Sequence, residues 1–237
     1  MKKVLIVAVC MGLAGLCLAQ NRIRTEDFED DPGWTGYRNV ISGQYSFQQR
    51  DDTTYIDADG GELSNGLRNR VAGAGAYYAD TSFTTALDLN EPLVMSGKLH
   101  FSSSYPLGAD LRLYIGFGST SGSSRMGFWF PLLGGGHQGV RPAAVLSDGS
   151  LRINTGSWGY VDKPLPWTQD FSWEYDPDGD GGNGSMRLTI DGTDYDVDLE
   201  PGDKAGESYD SFGVYASIEP YDSNTRFYFA LDDLTYT

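Results

Sequence analysis

The chain is 237 residues long, with a formal net charge of −16, 13% aromatic residues and 31 glycines. So acidic a surface excludes nucleic acid as a partner, because phosphate binding needs clustered lysine and arginine. It also weighs against strongly anionic polysaccharides, unless a local basic face overrides the general field.

The N-terminus decides the compartment. Lys2 and Lys3 form a short basic region, Val4 to Leu18 is apolar or small, and Cys17-Leu18-Ala19 offers small residues at the positions a signal peptidase reads. The apolar stretch is short for a bilayer span, which needs ~20 residues. Residues 1–19 are therefore read as a signal peptide, leaving Gln20 as the new N-terminus. A lipid anchor on Cys17 is the alternative, but Leu16 stands where a lipobox wants a small residue. Both cysteines, Cys10 and Cys17, lie in this segment. An exported chain without disulfides has to hold itself together by core burial, by metal, or by both. Residues 20–237 contain no later segment apolar enough to cross a membrane, and they read as one domain.

After a polar stretch from Asp51 to Gly75, expected to form long loops over one end of the fold, the remainder alternates like strands. The segments Leu111–Phe117, Phe171–Tyr175, Met186–Asp191, Phe212–Ala216 and Phe227–Leu231 all show a period of two. Gly118–Ser124, Gly134–Gly136, Asp148-Gly149, Asp176–Gly184 and Asp191-Gly192 punctuate them as turns. No amphipathic helix of three turns is present. The expected fold is all-β: a two-sheet antiparallel β-sandwich, or jelly roll, with its first and last strands adjacent.

Two groups of residues look familiar. Asp27-Phe28-Glu29-Asp30-Asp31-Pro32-Gly33-Trp34 and Phe229-Ala230-Leu231-Asp232-Asp233-Leu234-Thr235-Tyr236 resemble the terminal strands of secreted bacterial carbohydrate-binding modules. Trp173-Glu174-Tyr175-Asp176-Pro177, Gly181-Gly182-Asn183-Gly184 and Leu188-Thr189-Ile190-Asp191-Gly192 resemble exported concanavalin-like, laminin-G-like jelly rolls. The resemblance implies a structural calcium shared by Glu29 and Asp232. The Glu-x-Asp-x-x-Glu strand of laminarinase-like glycosidases and the Arg-x-Glu-Leu-Arg and Gln-Ile-His strands of jelly-roll alginate lyases are absent, and fold alone does not confer their activities.

Several constellations are candidates for function. Asp176, Asp178 and Asp180, followed by Gly181, match the start of a calcium-binding EF-hand loop, although Arg187 occupies the position of its closing glutamate. A hairpin loop rich in turn formers explains the same residues. Asp232 and Asp233 also suit the charged end of an edge strand. A sugar needs an aromatic face for its C–H patches and polar groups for its hydroxyls. Trp158 and Tyr160 in a glycine-flanked loop, and His137 with Arg141, are the candidates; Trp129 is a candidate too, though it and Trp167 suit the core better than a ligand platform, and Trp34 and Trp173 are assigned to the core. If the strands share one sheet, His100, Arg112 and Tyr114 would converge with Glu174 as acid–base groups for glycan cleavage. No nucleophile elbow, phosphate loop or zinc spacing is present. The sequence reads as an exported, non-catalytic carbohydrate-binding or cell-surface recognition module, with calcium as a structural ion and a glycan or surface polysaccharide as partner. A jelly-roll hydrolase or lyase using His100, Tyr114 and Glu174 is the alternative, and a structural envelope protein a third. Protein purified from a secreting host should begin at Gln20 and contain no thiol; an intact mass carrying a lipid on Cys17 would overturn the processing.

Overall fold

The computed structural model describes residues 23–37, 63–68, 74–103, 110–133, 137–138, 140–153, 167–219 and 226–237. Among these, nearly all regular structure is strand, arranged as two antiparallel sheets that pack face to face. The first sheet runs β1 (Arg24–Glu26), β17 (Arg226–Tyr236), β6 (Leu93–Ser103), β12 (Trp167–Asp176), β13 (Ser185–Ile190) and β14 (Thr193–Asp198), with β3 (Leu63–Arg68) also paired to β17. The second runs β11 (Leu151–Ile153), β10 (Arg141–Val145), β8 (Arg125–Leu133), β7 (Asp110–Gly118), β16 (Ser211–Glu219), β4 (Ala74–Asp80) and β2 (Thr35–Tyr37), with β9 (His137–Gln138) paired to β8. A small ribbon joins β5 (Leu87–Asp88) to β15 (Ser208–Tyr209). Each strand expected from the period of two is present, and the first and last strands are neighbours, Glu26 opposite Leu234.

Alternation places the core. Phe171, Trp173 and Tyr175 on β12 point inward while Ser172, Glu174 and Asp176 are exposed, and Leu113, Ile115 and Phe117 on β7 meet them from the other sheet. Aromatic pairs cross the gap between the layers: Phe128 with Phe171 at 5.0 Å between centroids, and Phe117 with Trp173 at 6.0 Å. Tyr236 from the last strand stacks on Phe212 at 4.1 Å. Trp34 and Trp173 are core residues, as the sequence suggests.

A polar tie joins the layers beside that stack. The Asp80 carboxylate at the end of β4 accepts hydrogen bonds from the Tyr236 hydroxyl (2.9 Å), the Ser82 amide (2.8 Å) and the Arg24 guanidinium (2.5 Å). Arg24 also lies over the Phe83 ring at 4.5 Å. Burial alone would raise the Asp80 pKa, but the Ser82 and Tyr236 hydrogen bonds and the Arg24 charge together hold it below the usual value. The same burial, with the Asp80 charge beside it, drives the Tyr236 phenol upward, so this hydroxyl remains a donor.

Three local expectations need correction. The stretch Asp51–Gly75 is not all loop: β3 and the start of β4 lie within it, since pairing with β17 and β16 overrides weak local strand propensity. Asp232 and Asp233 do not end an edge strand, because β17 has β6 on one side and β1 and β3 on the other. They form a bulge instead. The register with β6 shifts between Asp232 and Thr235, Asp233 adopts φ 48°, and Asp232 Oδ1 accepts the Asp233 amide at 2.7 Å. The short helical turn at Gly179–Gly182 contains left-handed residues at Asp180 and Gly181, so it is a hairpin loop rather than a helix.

Removing Asp80 takes the acceptor from the Tyr236 hydroxyl, the Ser82 amide and the Arg24 guanidinium at once, but the Arg24 side chain is 33% exposed and stays partly solvated, so the loss is on the order of 1–3 kcal/mol. Asp80→Ala should therefore lower the denaturation midpoint, while Tyr236→Phe should cost only about 1 kcal/mol. Because the folded Asp80 pKa is depressed, its contribution is present above the unfolded value of 3.8 and is lost as pH falls through the lower folded value. Equal midpoints for Asp80→Ala and wild type at neutral pH would show that the tie contributes nothing.

Candidate functional site

The register of the second sheet assembles a row that no single strand reveals. Tyr77 on β4 lies opposite Tyr215 on β16, Tyr215 opposite Tyr114 on β7, Tyr114 opposite Trp129 on β8, and Trp129 opposite Arg141 on β10. Tyr37 on β2 occupies the next register position beyond Tyr77. These positions are out of phase with Leu113, Ile115, Phe128 and Val214, which face the core, so the row lies on the outer face. Tyr77 and Tyr215 have centroids 5.8 Å apart, and the Arg141 guanidinium lies 5.9 Å from the Trp129 ring. Tyr77, Tyr114 and Arg141 are buried, whereas Trp129 and Tyr215 are half-buried.

Two positions along each strand runs a second row with no side chain larger than a methyl: Ala79, Gly213, Gly116, Gly127 and Ala143. Backbone proximity forces this choice. A Cβ at Gly127 would sit 2.1 Å from the Ile115 carbonyl oxygen, and one at Gly213 would sit 2.4 Å from that of Tyr78.

At one end the row opens into a cavity of about 150 Å³, lined by Tyr77, Tyr215, Gly118, Arg125 and the Ser119–Ser124 loop. The Arg125 guanidinium lies over Tyr215 at 4.8 Å and near Tyr114 at 5.7 Å. The loop is fixed by its own bonds: the Ser119 amide donates to the Ser124 carbonyl, and the Thr120 amide and hydroxyl both donate to Asp210 at 2.7 Å. At Gly118 a Cβ would approach the Tyr77 hydroxyl to 2.9 Å, so glycine there makes room for that ring.

The structure divides the residues expected to cleave glycans. Tyr114 and the backbone of Arg112 belong to the second sheet, whereas His100 and Glu174 belong to the first, and each side chain described points away from the shared core. They do not converge. His100 is 3% exposed, with Nδ1 2.7 Å from the Thr168 hydroxyl, and burial pushes its pKa down to about 4. It is a neutral, buried imidazole. Glu174 is exposed in a shallow groove of about 420 Å³, with Ser96, Ser172, Arg187, Thr189 and Asp194. There Arg187 pairs with Asp196, and Thr189 donates to Asp194.

Of the proposed sugar ligands, Trp129 and Arg141 are brought together, and His137 on β9 pairs with Leu133, four positions beyond Trp129 on β8. Trp158 and Tyr160 lie outside the described residues, and Trp167 is described only by its backbone in β12. The residues proposed for calcium do not gather: among the described residues no three acidic or histidine side chains converge on one point. The Asp176 carboxylate accepts the Asp178 amide, and Asp180 accepts the Asn183 side-chain amide. Glu29 is exposed, while Asp232 caps the bulge amide. Sequence reasoning missed Tyr77, Tyr215 and Arg125; the available signal was a tyrosine or arginine at the outward phase of each strand, but only pairing shows that they meet.

No family model and no curated protein matches this chain. Among solved structures it is similar to Cellulose induced protein, Cip1, at 15% identity and TM-score 0.54 over 90% of this chain and 96% of that one. A glycosidic hydrolase aligns at 12% identity and TM-score 0.52, over 91% and 94%. Alginate lyase Aly36B aligns at 14% identity and TM-score 0.49, over 86% and 95%. At these identities the likeness is one of fold, and the class is the concanavalin-like jelly-roll β-sandwich. Among the described residues no helix is long and apolar enough to cross a membrane.

The folded His100 resists protonation that the unfolded chain accepts near pH 6.5, so stability should fall as pH drops from about 6.5 towards 4. The full effect is on the order of 3 kcal/mol. His100→Gln, which keeps a polar partner for Thr168, should flatten the stability profile across that window. A slope identical to wild type would show that His100 is not the group responsible.

Proposed function

We propose that this chain is an exported glycan-recognition module that binds a polysaccharide through the outer face of its second sheet and does not cleave it. The observation that carries this reading is the cross-strand row Tyr77, Tyr215, Tyr114, Trp129 and Arg141. Pyranose rings present C–H patches that pack on aromatic faces, while their hydroxyls need donors and acceptors. The half-buried rings of Trp129 and Tyr215, with Arg125 and the serine hydroxyls of the adjoining loop, supply both, on a row whose other members, Tyr77, Tyr114 and Arg141, are buried and hold those rings in place. The shared fold of a glycosidic hydrolase makes carbohydrate the ligand class to test first. The N-terminal segment, read as a signal peptide, would put the module outside the cytoplasm, facing a cell-surface or environmental polysaccharide.

Binding is favoured over hydrolysis because glycosidases use two carboxylates flanking one bond. Among the described residues lining the cavity beside the row there is none. The groove around Glu174 on the opposite sheet favours the second reading, hydrolysis, since it holds Glu174 and Asp194 together. Its described side chains supply no exposed aromatic platform, because Trp173 is only 1% exposed.

A glycan array should show binding by wild type. Trp129→Ala should weaken it by roughly tenfold or more, in keeping with about 1–3 kcal/mol for a truncated interface aromatic. Glu174→Gln should leave binding unchanged, and a reducing-end assay should detect no product from wild type. Product release that Glu174→Gln abolishes would establish the hydrolase instead.

A further inference from the structure

Arg125 stands apart from the other well-placed arginines. Arg24 pairs with Asp80, Arg152 with Asp203 and Glu200, and Arg187 with Asp196. Arg125 has no carboxylate within ion-pair distance among the described residues, although the chain carries 33 acidic residues against 17 basic ones. Its contacts are aromatic faces, Tyr215 at 4.8 Å and Tyr114 at 5.7 Å. A cation–π contact orients a guanidinium without neutralising it or using the in-plane N–H donors that suit a carboxylate. Asp210, the acid that anchors the neighbouring loop, already accepts two hydrogen bonds from Thr120. Arg125 therefore presents an uncompensated charge at the wall of a half-enclosed cavity.

We propose that this cavity takes the carboxylate of a uronic acid residue, with Arg125 as its counter-ion and the sugar ring packed against Tyr215. The cavity, at about 150 Å³, has roughly the volume that five water molecules occupy in the liquid, enough for a carboxylate and the ring carbons next to it. Ser119 and Ser123 also line the cavity; Ser119 Oγ accepts the Gly122 amide, and the Ser123 hydroxyl is the polar group offered to those of the sugar. The loop that carries them is pinned by Asp210 and by the Ser119–Ser124 hydrogen bond, so little ordering is required on binding. The ligand class follows from one local guanidinium and runs against the acidic character of the whole chain.

This inference rests on the glycan-recognition reading, and the experiment separates the two. Calorimetry would compare oligogalacturonate, the same oligosaccharide after carboxyl reduction, and a sulfated galactan fragment of equal length, on wild type, Arg125→Ala and Arg125→Lys. The expected result is preferential binding of oligogalacturonate, lost at least tenfold in Arg125→Ala, partly retained in Arg125→Lys, and lost likewise on carboxyl reduction. Unchanged melting midpoints in both variants would confirm that the fold is intact; if Arg125→Ala melts early, Arg125→Lys carries the comparison. Equal binding of the reduced oligosaccharide, or an acidic-sugar affinity indifferent to both variants, overturns the uronate assignment and leaves glycan recognition standing. Preference for the sulfated fragment overturns the carboxylate as ligand. Absence of binding to every carbohydrate on a broad array overturns both readings.

Discussion

The contact on which the rest depends is Tyr236 stacked on Phe212 with its hydroxyl on Asp80. It joins the last strand of one sheet to β16 and β4 of the other, in a chain whose only cysteines lie at positions 10 and 17. Because side chains alternate faces along a strand, a slip of one residue would turn every inward group outward. Holding Asp80 against Tyr236 fixes that phase for β4: Asp80 and Tyr78 serve the core side, while Tyr77 and Ala79 face out. The tie between layers thus decides which tyrosine joins the outer row. Stability and the outer aromatic row share one register.

The glycines complete that arrangement. Gly116, Gly127 and Gly213 lie in register on three successive strands, where neighbouring carbonyls leave no space for a Cβ. Glycine in a strand interior normally weakens it, by entropy and by the missing side chain. Here the apolar contacts on the inner face offset that cost: Phe117, Phe128 and Phe212 are all buried beside these glycines, and Phe117 and Phe212 meet at 5.1 Å. A packed inner face allows the outer face to carry a row of glycines.

Strand periodicity was legible in the sequence because a half-buried strand leaves a direct trace in residue order. Sheet membership leaves no such trace. His100, Tyr114 and Glu174 each sit at an outward phase, and periodicity is equally consistent with one sheet or two; the order of strands separates them. The same limit hid the aromatic row, whose members are spread from Tyr77 to Tyr215 and adjoin only through pairing. At Asp232 the difficulty is another one. An aspartate that caps its neighbour's amide in a bulge and one that binds a cation share the same residue type and the same place near a strand end, and only the backbone dihedral of Asp233 distinguishes them.

Charge distribution accounts for how an acidic chain can present a cationic pocket. The exposed carboxylates Glu174, Asp194 and Asp196 lie on the outer face of the first sheet, and Arg125 lies on the outer face of the second. Packed sheets are about 10 Å apart, and side chains on both outer faces add to that separation. The Debye length at physiological salt is about 8 Å, so most of the acidic face is screened from Arg125. Net charge governs solubility and long-range encounter, whereas the groups within a few ångströms govern what a pocket holds. Among the described residues no carboxylate lies within ion-pair distance of Arg125, which is seated on tyrosine, and the acidic far face discourages a long polyanion from wrapping the molecule.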